Sequence, residues 1–131
     1  MAKILVAEDD ALTAQLVSFK LKQQGFTVLS ASDGETALAL AQSERPEVIL
    51  LDCMMPVMDG FAVLRRIKET PELKATPVIM LTFRSKETDI INALELGAAD
   101  YIVKPFSPAE LMARIHKVLP PPGLLPGEES V

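Results

Sequence analysis

The segment Val48-Ile49-Leu50-Leu51 is apolar at every position and ends at an aspartate, Asp52. A strand covered on one face alternates apolar and polar side chains, whereas a parallel strand covered on both faces is apolar throughout. Short apolar runs recur at 4–7, 78–81 and 101–103, and residues 26–31 are predicted as a further strand. Segments with helical spacing of apolar residues separate these runs. Five strands alternating with five helices predict a parallel α/β sheet with right-handed crossovers.

The helices are predicted from apolar spacing and from capping residues. The first carries Leu12, Leu16, Phe19 and Leu21 near helical spacing. Asp10 and Asp33 are predicted N-caps, because their carboxylates can accept hydrogen bonds from the first backbone N–H groups of a helix. The fourth helix is expected from about Glu87 to Leu96, closed by Gly97. Ser107-Pro108-Ala109-Glu110 has the cap, proline and acidic residue of a sharp helix start.

The length and composition fit one globular domain. The chain has 131 residues, 49% apolar and 24% charged, and we expect residues 1–119 to form the domain. Residues 120–131 are rich in proline and glycine and are interpreted as a linker or free tail. No apolar run is long enough to span a membrane, and the lone Cys53 cannot form an internal disulfide. These features predict a soluble cytoplasmic protein.

The net charge of −5 argues against direct binding of nucleic acid, because phosphate-backbone affinity requires clustered lysine and arginine. The thirteen basic residues are instead scattered along the chain. We therefore expect no nucleic acid and no membrane among the partners.

Five polar residues lie at, or directly after, the carboxyl ends of four predicted strands: Glu8, Asp9, Asp52, Thr82 and Lys104. In an open doubly wound sheet these ends meet at one crevice, where the strand order reverses. For the order 2-1-3-4-5, strands one and three flank that point. The residues are therefore expected to meet.

Three converging carboxylates repel one another unless one of them is protonated or a cation binds. Magnesium suits such a site, because it prefers oxygen ligands and retains waters that leave room for phosphoryl oxygens. Phosphoryl transfer depends mainly on positioning and on neutralisation of charge. An aspartate nucleophile, a metal ion, a lysine and a hydroxyl group provide both.

The chain resembles the receiver domain of two-component response regulators over residues 3 to about 119. The resemblance rests on four motifs: Ile4-Leu5-Val6-Ala7-Glu8-Asp9-Asp10, Leu51-Asp52-Cys53-Met54-Met55-Pro56-Val57-Met58-Asp59-Gly60, Leu81-Thr82 and Tyr101-Ile102-Val103-Lys104-Pro105-Phe106. It implies a flavodoxin-like (βα)5 doubly wound parallel sheet with strand order 2-1-3-4-5. It also implies a signalling phosphoacceptor, not an enzyme, that receives its phosphoryl group from a sensor histidine kinase or a phosphotransfer protein.

Carried over by position, the resemblance implies that Asp52 is the phosphoacceptor. Glu8, Asp9 and Asp52, with the backbone carbonyl of Met54, would hold Mg²⁺ or Mn²⁺. Lys104 would pair with the phosphoryl group, and the peptide bond from Lys104 to Pro105 would be cis.

The resemblance also implies a conformational switch. Thr82 would hydrogen-bond the attached phosphoryl group, and Tyr101 would turn inward as Thr82 moves. The output face would be helix four, strand five and helix five. Three charged residues there resemble those through which such receivers form homodimers: Asp100, Glu110 and Arg114. Helix four lacks the expected basic partners, so this dimer network is incomplete.

Two departures from the family pattern concern the rate of reaction. Phe83 follows Thr82 where a small residue is common, which would restrict access to Asp52 and slow its phosphorylation. Met54 and Arg84 match family members whose phosphorylated state is long-lived, so slow self-dephosphorylation is expected.

Three other functions are alternatives to that of a receiver. An aspartyl-phosphate hydrolase normally has a second aspartate two residues after the nucleophile, where this chain has Met54. A flavin-binding module would need a phosphate-binding loop after strand one, where Glu8-Asp9-Asp10 would repel phosphate. The third is a receiver-shaped interaction module that is never phosphorylated, and only Phe83 favours it.

Overall fold

Five parallel strands form one sheet in the order β2-β1-β3-β4-β5. The structure, a computed structural model, describes residues 2–83 and 87–119. The strands are β1 (Lys3–Ala7), β2 (Thr27–Ala31), β3 (Val48–Asp52), β4 (Val78–Thr82) and β5 (Asp100–Val103). The helices are α1 (Ala11–Gln23), α2 (Gly34–Glu44), α3 (Gly60–Glu69), α4 (Glu87–Glu95) and α5 (Pro108–Val118). The predicted flavodoxin-like fold and its strand order are confirmed.

Every residue of the central strand β3 is buried, and so is every residue of β4. Successive side chains of a strand point to opposite faces of the sheet, so each strand contributes to two apolar layers. Ile49 and Leu51 pack with α2, α3 and α4 on one face. Val48 and Leu50 pack with α1 and α5 on the other. Burial on both faces explains why the β3 sequence is apolar without alternation.

Four helices begin at a side chain that caps the backbone. Asp10, Asp33, Asp59 and Ser107 each accept a hydrogen bond from the backbone N–H three residues later, at 2.8–3.0 Å. Each such cap contributes about 1 kcal/mol to stability. The caps predicted at Asp10, Asp33 and Ser107 are confirmed. Gly97 has a φ of 107°, in agreement with its predicted position after α4.

Three of the four apolar residues that predicted α1 do not face the sheet. Leu12, Leu16 and Phe19 are 62–66% exposed, whereas Val17 and Leu21 are buried. At about 100° per residue, the three exposed side chains share one face and the two buried ones lie on the opposite face. The periodicity therefore predicted the helix correctly, but most of the apolar stripe that it identified faces outward.

Two predictions fall on parts of the chain that the structure does not describe. They are the linker or free tail at 120–131 and the effect of Arg84 on dephosphorylation. Within the described ranges, no helix combines the length and the apolar character needed to cross a bilayer.

Candidate functional site

The register of the parallel strands brings distant residues to one edge of the sheet. Ala7 of β1 pairs with Leu51 of β3, so Glu8 follows at the level of Asp52. The backbone N–H of Lys104 donates to the carbonyl oxygen of Thr82 at 2.6 Å. Both pairings follow from strand order, since parallel strands all end at the same edge.

Polar side chains are buried at this edge although the surrounding core is apolar. Among residues 2–83 and 87–119, the buried polar or charged residues are Glu8, Asp52, Thr82, Asp100 and Lys104. Four of these five follow or end a strand at the carboxyl edge. Burying a charge is costly unless a partner compensates it, so this cluster must be stabilised by interactions among its own members or with bound groups.

The carboxylates of Glu8, Asp9 and Asp52 offer oxygen atoms that all lie within 4.8 Å of one another. Asp9 is exposed, while the other two are buried. Burial raises the pKa of Asp52 to about 7, and hydrogen bonding and charge repulsion from Glu8 act in the same direction. The Met54 backbone N–H opposes this rise by donating to Asp52 Oδ1 at 3.2 Å. An additional positive charge would relieve the repulsion.

Lys104 supplies part of that positive charge. Its Nζ donates to Glu8 Oε1 and lies 3.4 Å from Asp52 Oδ1. Its nearest carboxylate is therefore Glu8, not Asp52. The phenyl ring of Phe83 lies over the ammonium, with 5.0 Å between Nζ and the ring centroid. The Lys104 side chain is thus enclosed by carboxylates on one side and an aromatic ring on another.

Thr82 and Cys53 lie together at the ends of β4 and β3. Burial raises the pKa of the Cys53 thiol to about 11, and the negative charges of Asp52 and Asp89 add to the rise. A hydrogen bond with the Thr82 side chain acts in the opposite direction. The thiol therefore remains protonated and unreactive at neutral pH.

The loop between β3 and α3 contains features that the sequence analysis did not identify. Val57 has a φ of 71°, in the left-handed region that β-branched residues rarely adopt. Gly60 lies so close to the backbone of Asp52 that an added Cβ would be 2.2 Å from the Asp52 carbonyl oxygen. The glycine could have been recognised from sequence as a position of close backbone approach, but Val57 carries no such signal.

On β5, Tyr101 is partly buried and packs against the apolar layer that includes α4. The predicted cis peptide bond between Lys104 and Pro105 is present. The three charged residues that resemble those of receiver dimers, Asp100, Glu110 and Arg114, are paired with one another within the chain. Arg114 binds both carboxylate oxygens of Asp100, at 3.0 and 3.1 Å, and its second nitrogen is 3.7 Å from Glu110.

The response regulator receiver domain family matches residues 4–116, which include every residue of this cluster. The chain belongs to this family. This receiver is 47% identical over 117 residues to a probable transcriptional regulator, ycf27, from Porphyridium aerugineum. It is 42% identical, also over 117 residues, to the alkaline phosphatase synthesis transcriptional regulatory protein PhoP of Bacillus subtilis (strain 168). Each match covers 89% of the chain but 48% of the relative, so the chain spans about half the length of these proteins.

Solved structures agree with the receiver fold. The chemotaxis protein CheY4 of Vibrio cholerae superposes with a TM-score of 0.87 at 38% identity, covering 91% of this chain and 99% of CheY4. The receiver domain of the sensor histidine kinase PA1611 from Pseudomonas aeruginosa PAO1 superposes with a TM-score of 0.82 at 33% identity. The match covers 88% of this chain and 95% of that domain. That structure has a magnesium ion coordinated in its active-site cleft. The homologues are response regulators, which are signalling proteins.

Proposed function

We propose that this receiver accepts a phosphoryl group on Asp52 from a sensor histidine kinase or a phosphotransfer protein, and that the reaction depends on a divalent cation. The observation that carries the proposal is the position of Asp52, buried between the Lys104 ammonium and the acidic pair Glu8 and Asp9. In the reaction, a carboxylate oxygen of Asp52 bonds to phosphorus while the bond from phosphorus to the donor imidazole nitrogen breaks. The imidazole departs with that electron pair.

The metal ligands we propose are the carboxylates of Glu8, Asp9 and Asp52 and the backbone carbonyl of Met54, and the metal is Mg²⁺ or Mn²⁺. These are all oxygen donors, which hard divalent cations prefer. The pKa of Asp52 is raised first by burial and then by hydrogen bonding and charge repulsion from Glu8, and a bound cation would offset that repulsion, which supports the assignment. When bound, the cation lowers the repulsion between the carboxylates and the incoming phosphoryl oxygens.

Lys104 and Thr82 stabilise the product in this proposal. The Lys104 ammonium is held between Glu8 and Asp52, within reach of a phosphoryl group attached to Asp52. Thr82 ends the neighbouring strand at the same edge and would donate its hydroxyl to a phosphoryl oxygen. Charge-assisted hydrogen bonds of this kind are about twice as strong as neutral ones. The phosphorylated state would therefore favour one arrangement of the loops that follow β4 and β5.

The output surface we propose is the α4–β5–α5 face. Tyr101 lies in β5 and contacts the layer that contains α4, so rotation of its ring would alter that face. Ile91 and Leu94 are the exposed large apolar residues of α4 that a partner could bury. A homodimer through this face would have to accommodate Arg114, whose guanidinium already binds Asp100 within the chain. The partner could equally be an effector, because the relatives are about twice as long as this chain.

The receiver assists its own phosphorylation and is dephosphorylated slowly in this proposal. Phe83 is 72% exposed and its ring covers Lys104, which narrows the approach to Asp52. Met54 and Arg84 are the residues that suggested a long-lived phosphorylated state. We further propose that the protein acts in the cytoplasm without direct contact to nucleic acid, as its net charge of −5 suggests.

The experiment that tests the function is incubation with acetyl phosphate and Mg²⁺, followed by mass spectrometry of the intact protein. Wild type should gain one phosphoryl group, and Asp52→Asn should gain none. Asp33→Asn is the matched control, because Asp33 is an exposed N-cap that asparagine replaces well. Modification that survives Asp52→Asn would put the acceptor elsewhere.

The alternative is a receiver-shaped interaction module that is never phosphorylated. The specific observation that favours it is Phe83, whose ring lies over the Lys104 ammonium. If neither wild type nor Phe83→Ala is modified by acetyl phosphate or by a histidine kinase, this alternative replaces the first proposal.

A further inference from the structure

The loop between β3 and α3, residues 53–59, packs against the start of α2. Gly34 is the first residue of that helix and is buried. A Cβ atom added to Gly34 would lie 2.8 Å from both the carbonyl carbon and the Cβ of Met58, and nearer still to the Met58 carbonyl oxygen. Real Cβ atoms essentially never come within 3.0 Å of such atoms. Only glycine therefore allows the loop to approach the helix this closely.

The part of the loop that meets Gly34 is a tight turn. The backbone N–H of Met58 donates to the carbonyl oxygen of Pro56 at 2.8 Å, and Val57 between them has a φ of 71°. These are features of the γ-turn with a positive central φ, which is rare and strained. The N–H of Gly34 donates to the same Pro56 oxygen at 3.5 Å. A strained turn persists only where its surroundings hold it, and α2 supplies one such contact.

The helix is the more firmly fixed of these two partners. Ala37 and Ala41 of α2 are buried in one of the two apolar layers of the core. In the loop, Met54 and Val57 are exposed. Loops with exposed side chains have a lower local stability than elements packed into the core. A side chain at position 34 would therefore displace the loop rather than the helix.

The same loop begins at the candidate metal site. The Met54 N–H donates to Asp52 Oδ1 at 3.2 Å, and the Met54 carbonyl is among the metal ligands proposed above. The next residue, Met55, is buried, and it joins this end of the loop to the turn at Pro56. The ring of a proline fixes φ, so little rotation is available there to absorb a movement of the turn. A movement of the turn is therefore transmitted to the Met54 carbonyl.

We propose that Gly34 is a positioning residue for the metal ion, because the room that it leaves for the turn sets the direction of the Met54 carbonyl. The inference rests on the proposed function, in which that carbonyl is a ligand. Gly34 lies outside the group of three carboxylates and supplies no ligand itself. Groups that orient a metal ligand typically contribute roughly tenfold to a hundredfold to metal affinity, so Gly34→Ala should raise the dissociation constant for Mg²⁺ by about tenfold.

The test observes the Met54 carbonyl directly, by NMR of the full 131-residue chain. Met54-Met55 is the only pair of adjacent methionines in the sequence. Methionine labelled with ¹³C at the carbonyl and with ¹⁵N at the amide therefore gives one signal from a directly bonded ¹³C–¹⁵N pair. Titration of wild type with Mg²⁺ should shift this signal to saturation. In Gly34→Ala the signal should start at a different position without metal, and saturation should require about ten times more Mg²⁺.

Gly25→Ala is the matched control for a general loss of stability. Gly25 has a φ of 94°, which strains any other residue, but a Cβ there would meet nothing within 4 Å. It lies in the turn before β2, at the amino edge of the sheet and away from the loop. The Met54-Met55 signal of Gly25→Ala and its dissociation constant for Mg²⁺ should match those of wild type.

A second variant serves if circular dichroism shows that Gly34→Ala does not fold. Adding Met58→Gly to it removes the Met58 Cβ that the new side chain would crowd and lets the loop yield. The dissociation constant for Mg²⁺ of this double variant should also rise about tenfold, since the turn is no longer held where Gly34 holds it.

Two outcomes would overturn the positioning role alone. One is a wild-type dissociation constant in the folded Gly34 variant, and the other is an equal rise in Gly25→Ala. If Mg²⁺ left the Met54-Met55 signal of wild type unmoved, Met54 would not be a ligand, and both that assignment and the role of Gly34 would be wrong. Phosphorylation of Asp52 is measured separately, so its failure is distinguishable from each of these results.

Discussion

The ammonium nitrogen of Lys104 lies 3.4 Å from the Oδ1 oxygen of Asp52, and both side chains are almost completely shielded from solvent. The two residues are separated by half the domain in sequence, and the sheet brings them together. Glu8 takes the closer contact with the same ammonium. The cluster thus has more negative charge than its lysine neutralises, and most of its expected behaviour follows from that imbalance.

Asp52→Asn should stabilise the metal-free protein at neutral pH by about 1–3 kcal/mol, because it removes a buried charge that its surroundings disfavour. The pKa of Asp52 is raised from 3.8 to about 7, so the folded state binds more protons than the unfolded state between these values. The contribution of the Asp52 carboxyl group to the free energy of unfolding is therefore fully present below about pH 4. It is lost as the pH rises to about 7. The measurement is urea unfolding in EDTA at pH 5 and pH 8. The free energy of unfolding of Asp52→Asn should exceed that of wild type by more at pH 8 than at pH 5.

The control for this comparison is Asp33→Asn. The pKa of Asp33 is lowered by hydrogen bonds from Thr36, so its contribution to stability is lost only in more acidic solution. The free energy of unfolding of Asp33→Asn should differ from that of wild type by the same amount at pH 5 and pH 8. If the extra stability of Asp52→Asn over wild type were smaller at pH 8 than at pH 5, the buried charge of Asp52 would not be destabilising the folded protein.

Mg²⁺ should raise the midpoint of thermal unfolding of wild type, and Asp9→Asn should weaken this effect. A ligand that binds only the folded state stabilises it by about 2.7 kcal/mol at one hundred times its dissociation constant. Asp9 is the exposed member of the carboxylate group, so its substitution leaves the core intact. The measurement is a thermal titration with Mg²⁺. Equal stabilisation of Asp9→Asn and wild type would exclude Asp9 as a ligand.

Val57→Asn should raise the free energy of unfolding by about 1 kcal/mol, since asparagine tolerates the left-handed conformation that valine disfavours. Val57 is 77% exposed, so the substitution removes little packing. Val57→Ala is the control, because alanine removes the β-branch but keeps a Cβ, and it should gain less. Urea unfolding of the three proteins gives the comparison. A loss of stability in Val57→Asn would indicate that the valine side chain makes a favourable contact.

Phe83→Ala should increase the rate of phosphorylation by acetyl phosphate, because it removes the ring over Lys104. The same substitution should lower stability by about 0.5–1 kcal/mol, the usual contribution of an exposed cation–π contact. Phe83→Leu keeps the bulk without the aromatic ring, so it should lose similar stability but show a smaller gain in rate. Initial rates by intact-protein mass spectrometry and urea unfolding separate the two effects. Equal rates in all three proteins would mean that the ring does not limit access.

Local sequence patterns determined most of the fold. The uninterrupted apolar run that forms β3, the caps at Asp10, Asp33 and Ser107, and the glycine after α4 were all correctly interpreted. Boundaries were close, with β2 beginning at Thr27 rather than Phe26 and α4 ending at Glu95 rather than Leu96. These features depend on residues within one or two helical turns of each other, which a sequence displays directly. The alternation of strands and helices then implied that polar strand ends would share one edge.

The tertiary structure alone decided how the side chains are paired and which faces they cover. It placed the ammonium of Lys104 nearest to Glu8, 96 positions away in the chain, and it joined Arg114 to Asp100 within one molecule. It also turned the stripe with Leu16 and Phe19 outward, although its spacing resembles that of a core-facing helix. Periodicity identifies a helical face but not what the face contacts, because that contact is made by residues distant in sequence.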